Sequence, residues 1–170
     1  DDAVCATPRG KNGWTLWVAI ADVAHYVTDN SPLDQTAIER GTSAYFPSEV
    51  IPMLPETLSN GLCSLKPHVD RLALAVCLEI ASTGRVTKYR FHEVVFQSQQ
   101  RLTYNQVQEA LDAVSADHHS PEALATAIQK TERFSSNAVA QNVADLYSLY
   151  QVLRSAREDR GALDFDSVEP

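Results

Sequence analysis

The chain has 170 residues, 44% of them apolar, and carries 14 Lys and Arg against 22 Asp and Glu, a formal charge of −8. That is enough for one ordinary core, while no run is long and apolar enough to span a bilayer and no basic, then apolar leader opens the chain. The acidic balance speaks against a nucleic-acid partner, because phosphate contacts need Lys and Arg; a channel with a few placed cations, a bound divalent metal and stacking rings can still outweigh an acidic exterior.

In chain order, Asp1 and Asp2 come first. Adjacent carboxylates entering an apolar segment are costly unless a cation compensates them, so the pair reads either as the end of a metal-binding loop or as an ordinary solvated loop. Trp14 to Val23 is almost continuously apolar and rich in β-branched and aromatic residues, which predicts a central strand buried on both faces. Ser31-Pro32-Leu33-Asp34 supplies an N-cap, a first-position proline and a first-turn acid, and Gly41 a stop, so a helix is predicted from about Pro32 to Arg40. Phe46 to Pro67 holds four of the eight prolines and predicts an irregular extended crossing with one helical turn near Pro55 to Ser59. Arg71 to Ile80 and Arg85 to Phe96 read as strands joined by a Ser82-Thr83-Gly84 turn.

Thr103-Tyr104-Asn105-Gln106 has the form of a capping box opening a helix, with Val107, Leu111 and Val114 at helical spacing. The polar stretch Ala116 to Ser120 breaks that pattern and Pro121 opens another helix. Val139, Val143, Leu146, Tyr150 and Leu153 mark the apolar face of a long last helix that ends before Gly161. Strands first and helices after predict an α+β (mixed α/β) fold, with helices packed on a mainly antiparallel sheet. Cys5, Cys63 and Cys77 cannot all pair and have no Cys-x-x-Cys spacing, which argues against a disulfide scaffold or a structural zinc site and for a reducing compartment.

Other residues have two readings each. His25 is an RNA contact or a hydrogen-bonded structural histidine; Asp22 assists the acidic loop or caps a turn; Arg40, Arg71 and Arg101 are phosphate contacts or structural salt bridges. Asn60 and Ser64 are candidates to face a channel, and His118-His119 reads as solvent-exposed.

The segments DDAV, GWTLWVAIADVAHYV, LDQTAIERGTSAYFPSEVIPMLPETLSNGLCSL, VDRLALAV, QRLTY and REDRGALDF together resemble the RNB catalytic domain of the ribonuclease II and ribonuclease R family of exoribonucleases. They leave out little besides Ala113 to Asn142. The resemblance implies a mixed sheet with surrounding helices around a deep channel, and magnesium-dependent hydrolysis of single-stranded RNA from the 3′ end to nucleoside 5′-monophosphates. Carried over residue by residue, it makes Asp1 the acid most critical for chemistry and Asp2 a direct magnesium ligand. Tyr45 and Phe165 become the rings that clamp the 3′-terminal base, Phe165 on the strength of GALDF alone. Two further aspartates upstream, a glutamate and an arginine downstream, and cold-shock and S1 domains are expected outside residues 1–170, which correspond to about the first half of the catalytic domain. On that reading the isolated piece is inactive. The complete enzyme is expected to be cytoplasmic, monomeric, free of membrane and without an obligate protein partner. Two alternatives stay open, an RNA-binding or scaffolding piece that keeps the fold without the chemistry, and an unrelated acidic metal-binding domain.

Overall fold

The computed structural model describes residues 2–112, 121–131 and 133–162. In chain order it forms strand β1 (Asp2–Pro8), a 3₁₀ turn (Gly10–Asn12), β2 (Trp14–Ala21), helix α1 (Val23–Tyr26), α2 (Pro32–Arg40), β3 (Ala44–Tyr45), β4 (Val50–Ile51), a π-helix (Thr57–Leu62), β5 (Asp70–Ile80), β6 (Val86–Gln97), α3 (Tyr104–Asp112), α4 (Pro121–Gln129) and α5 (Asn137–Asp159). A four-stranded sheet has the order β1-β2-β5-β6, and β3 pairs antiparallel with β4. The Asp22 N–H bonds the Leu72 carbonyl, and Gly13 lies against Ile80 and Ala81, so β2 and β5 run in opposite directions. The turn between β5 and β6 is closed by Ala81 and Arg85 with Gly84 at φ +78°, a left-handed position that suits glycine. The α+β expectation holds. No helix among the described residues is long and apolar enough to cross a membrane.

Local capping places the helices. The Ser31 hydroxyl accepts the Asp34 N–H at 3.2 Å with Pro32 at the first helical position. Thr103 and Gln106 exchange side-chain to main-chain bonds in both directions, at 3.2 and 3.0 Å, as a capping box requires. Ser136 caps α5 through the Val139 N–H.

Two compact units divide the chain, and the sheet strands contribute to both. The first gathers Asp2 and Ala3, Val18–Val76 and Phe91–Arg101. Its core joins Ala21, Leu58, Cys63 and Leu65, with Ala19, Ala73 and Ala75 forming a second cluster beside Val94 and Phe96. The strands thus present alanines, and the irregular crossing supplies the bulk. The second unit gathers Val4–Trp17, Cys77–Arg90 and the helices after Leu102. Here α5 serves two clusters. Ala140, Val143 and Ala144 meet Leu124, Ala125 and Ile128 of α4, and Leu149 packs with Ala6 and Ile80 among Trp14, Leu16, Leu146 and Leu153. Asn142 Nδ2 donates to the Ala6 carbonyl at 2.8 Å, and the buried Asp145 accepts from Gln141 at 3.1 Å.

Three sequence expectations need correction. The strand Trp14 to Val23 ends at Ala21 and is not buried on both faces, since Trp17 is 37% and Ile20 58% exposed; its buried residues are small alanines, which hydrophobicity alone does not single out. Tyr150 is half exposed, and Leu149, one position earlier, is the buried contact; the broad apolar surface of α5 follows the two clusters it serves and not a single stripe. The helical turn near Pro55 to Ser59 is a π-helix over Thr57–Leu62, shifted two to three residues along, so that Leu58 and Cys63 both reach the core. The pairing of β3, just before the crossing, with β4 at its start was not anticipated at all.

Gly13 carries the tightest backbone approach. Its φ is +104°, and a Cβ there would sit 1.9 Å from the Ile80 carbonyl oxygen. Gly13→Ala is expected to destabilise the fold by about 3 kcal/mol or more, whereas Gly10→Ala, at φ +60° with open space around it, should cost only about 1–2 kcal/mol. Urea unfolding of the two variants checks this, and equal losses would contradict it.

Candidate functional site

Asp2 opens β1 with an exposed side chain, while its neighbour Ala3 packs against the cluster of Ala21, Leu58, Cys63 and Leu65. The carboxylate is solvated on an anchored backbone. A carboxylate oxygen is the donor that a hard cation such as magnesium prefers, and magnesium is commonly held by one or two carboxylates with retained waters, so this donor fits it. Among the described residues no group of three or more His, Cys, Asp or Glu side chains converges. Asp1, the expected catalytic acid, and Phe165, the expected second ring, lie outside the described residues, as do His118 and His119.

Tyr45 ends β3 opposite Val50, and its side chain is 79% exposed. A tyrosine packed in a core would be covered; this one presents its ring to solvent, as a stacking platform must. Phe46 follows at 56% exposure, and Val50 and Ile51 are each half exposed. The hairpin closes through the Phe46 N–H to the Glu49 carbonyl at 2.8 Å. Asp2 and Tyr45 belong to the same compact unit.

Two of the three arginine candidates hold backbone carbonyls. Arg40 donates from Nη1 to the Pro52 carbonyl at 2.8 Å, and Arg71 donates from Nε to the Ser64 carbonyl at 2.8 Å and from Nη1 to its neighbour Asp70 at 3.0 Å. Both stitch backbone to backbone. Arg101 is exposed just before α3, Asn60 is exposed and Ser64 half-buried in the crossing. Asp22 caps α1, its Oδ1 accepting the His25 N–H at 3.2 Å, which supports the capping reading. His25 is exposed and meets Tyr26 edge-on at 5.0 Å between ring centroids. Asp22, His25 and Glu93 also line a cavity of about 190 Å³. Sequence reasoning passed over Glu93 and over Ser43, whose hydroxyl accepts the Met53 N–H at 2.9 Å. Neither carries a local signal, because Glu93 shares its cavity with residues distant in sequence and the Ser43 partner lies ten positions away.

The RNB domain family model matches residues 1–170. A ribonuclease R of Vibrio cholerae is 45% identical over 169 residues and one of Escherichia coli 47% over 171, each match covering 99% of this chain and 19% of the relative. The chain therefore spans about a fifth of the length of these curated relatives. The structure is similar to that of Mycoplasma genitalium RNase R in complex with double-stranded RNA, with a TM-score of 0.80 at 31% identity, over 96% of this chain and 26% of that one.

Burial pushes the Cys63 thiol up from its ordinary value, whereas Cys5 on β1 is exposed. The raised value leaves less thiolate at neutral pH. Maleimide labelling of the native chain should modify Cys5 first and Cys63 last, the lag at Cys63 shrinking as pH rises. Mass spectrometry of timed digests checks the order, and faster labelling of Cys63 than of Cys5 would show that the crossing does not cover it.

Proposed function

The chain belongs to the RNB domain family, and we propose that it forms the N-terminal part of the catalytic domain of a magnesium-dependent exoribonuclease that degrades single-stranded RNA from its 3′ end to nucleoside 5′-monophosphates. The observation that carries this is the match to ribonuclease R proteins along 99% of the chain. The exposed Tyr45 ring and the solvated Asp2 carboxylate support it, since each is presented where a ligand can reach it. The working enzyme is taken to be a cytoplasmic monomer.

In this reading Asp2 would hold the cation through a carboxylate oxygen, and Asp1 beside it is the acid most critical for chemistry. Magnesium there would supply charge neutralisation at the phosphoryl oxygens and a more acidic water. Asp1 orders that water and keeps the local field negative enough to retain the cation. Tyr45 stacks on the 3′-terminal base, with Phe165 on its other face, so that the scissile phosphate arrives in register without readout of sequence. Stacking of this kind is worth roughly 1–3 kcal/mol per base, and it suits an enzyme that must advance along any RNA.

Two substitutions test the reading in a protein of the relatives' full length that contains this chain. Asp1→Asn should abolish cleavage in a single-turnover assay while RNA affinity, titrated in calcium, stays nearly unchanged, because affinity resides in stacking and backbone contacts. Turnover retained within about tenfold, some 1.4 kcal/mol of barrier, would remove Asp1 from the chemistry. RNA binding without turnover in the unsubstituted protein would favour the alternative of a binding or scaffolding module.

Tyr45→Ala should leave cleavage running but release the RNA earlier, lengthening the final undigested product. An unchanged end product from a normally folded variant would mean that Tyr45 does not hold the terminal base.

A further inference from the structure

The geometry points to Arg40 as a positioning residue for the Tyr45 ring, an inference that rests on the stacking role proposed above. The β3–β4 ladder has two residues on each strand, Ala44 opposite Ile51 and Tyr45 opposite Val50. A two-stranded ribbon is marginal in water even when longer, and needs support from elsewhere. Packing on the ladder itself is slight, because Tyr45, Phe46, Val50 and Ile51 are all half exposed or more; only Ala44 is half-buried, and the nearest core contact is Leu54, beyond β4. The support comes from hydrogen bonds at the open end of the hairpin. Arg40 Nη1 reaches the Pro52 carbonyl at 2.8 Å, directly after β4, and the Met53 N–H bonds the Ser43 hydroxyl at 2.9 Å, directly before β3.

Arg40 is suited to that task by where it stands. It is the last residue of α2, a helix fixed at its start by Ser31 and Pro32 and anchored through the buried Ala37. Gly41, at φ +74°, ends the helix with its N–H on the Ala37 carbonyl, turning the chain toward β3. The guanidinium therefore transfers the rigidity of α2 to β4, and through the ladder to Tyr45. A ring that is 79% exposed takes its aim mainly from its backbone, and small errors of aim at a reacting centre are costly.

The competing use of Arg40, a direct phosphate contact, makes a different prediction, so one experiment separates them. An oligoadenylate with 2-aminopurine as its 3′-terminal base is titrated, in calcium, with a protein of the relatives' full length that contains this chain, and quenching of the fluorophore reads stacking on Tyr45. Arg40→Ala is expected to weaken the quenching complex roughly three- to tenfold, the loss of a charge-assisted bond transmitted in part. In a Tyr45→Ala background the same substitution should add less than about twofold, because residues acting through one another are not additive. The dependence of affinity on salt should keep its slope, whereas loss of a phosphate contact lowers it by about 0.7 for a single strand.

Ser43→Ala removes the other tether without changing charge, and it should show the same non-additivity with Tyr45→Ala. It decides the matter if Arg40→Ala does not fold. Additive losses, a fallen salt slope or an unchanged affinity in Arg40→Ala would each overturn the positioning role while leaving the stacking reading intact. If Tyr45→Ala itself leaves quenching unchanged, the stacking reading fails and takes this inference with it.

Discussion

The proline-rich crossing between α2 and β5 must lie on the sheet with only the two-residue β3–β4 ladder of its own, and the first unit is organised around meeting that requirement. The strands answer with small side chains. Ala21 leaves room at the sheet surface that Leu58, Cys63 and Leu65 descend from the crossing to fill, while Ala19, Ala73 and Ala75 pack beside Val94 and Phe96 of β6. A larger residue on the strands would lift the crossing, since interiors close-packed to this degree tolerate added volume poorly. The π-helix belongs to the same solution, because its wider turn lets Leu58 and Cys63, five residues apart, both face inward, with the Cys63 N–H on the Leu58 carbonyl.

Backbone groups in such a segment still need partners, and two arginines provide some of them. Arg71 ties Ser64 to β5, Arg40 ties Pro52 to α2, and the His68 N–H bonds Ser98 at the parallel bridge beside β6. Cations that composition counts as candidates for phosphate are here partly spent on carbonyl oxygens. A guanidinium with five donors can do both, but its geometry is set by the protein first.

The second unit uses ordinary helix packing, and α5 carries it by facing two clusters along its length. Its buried Asp145 is paired with Gln141 and its half-buried Asn142 with the β1 backbone, which fixes the rotation of the helix as well as its burial. The β5–β6 turn is held against the same helix by Gly84, where a Cβ would come within 2.8 Å of Ala156. An exposed ion pair of Arg9 with Glu79, which holds the Glu79 carboxyl below its usual range, decorates this unit without anchoring it.

The sequence by itself determined the features whose physics is local. The Ser31 cap, the Thr103–Gln106 box, the Gly84 turn and the ends of β5 and β6 each depend on residues a few positions apart, so the pattern and the structure agree. The α+β class follows from the order of those elements, and the family follows from long, proline-punctuated segments such as LDQTAIERGTSAYFPSEV, whose composition no generic strand or helix shares. Tertiary structure decided what depends on partners distant in sequence: that Ile20 is exposed while Ala19 and Ala21 are buried, that Leu149 and not Tyr150 is the core contact of α5, and that a short hairpin presents Tyr45 on tethers from Arg40 and Ser43. Hydrophobicity ranks a residue's preference for burial, but whether a neighbour arrives to cover it is settled only when the elements dock.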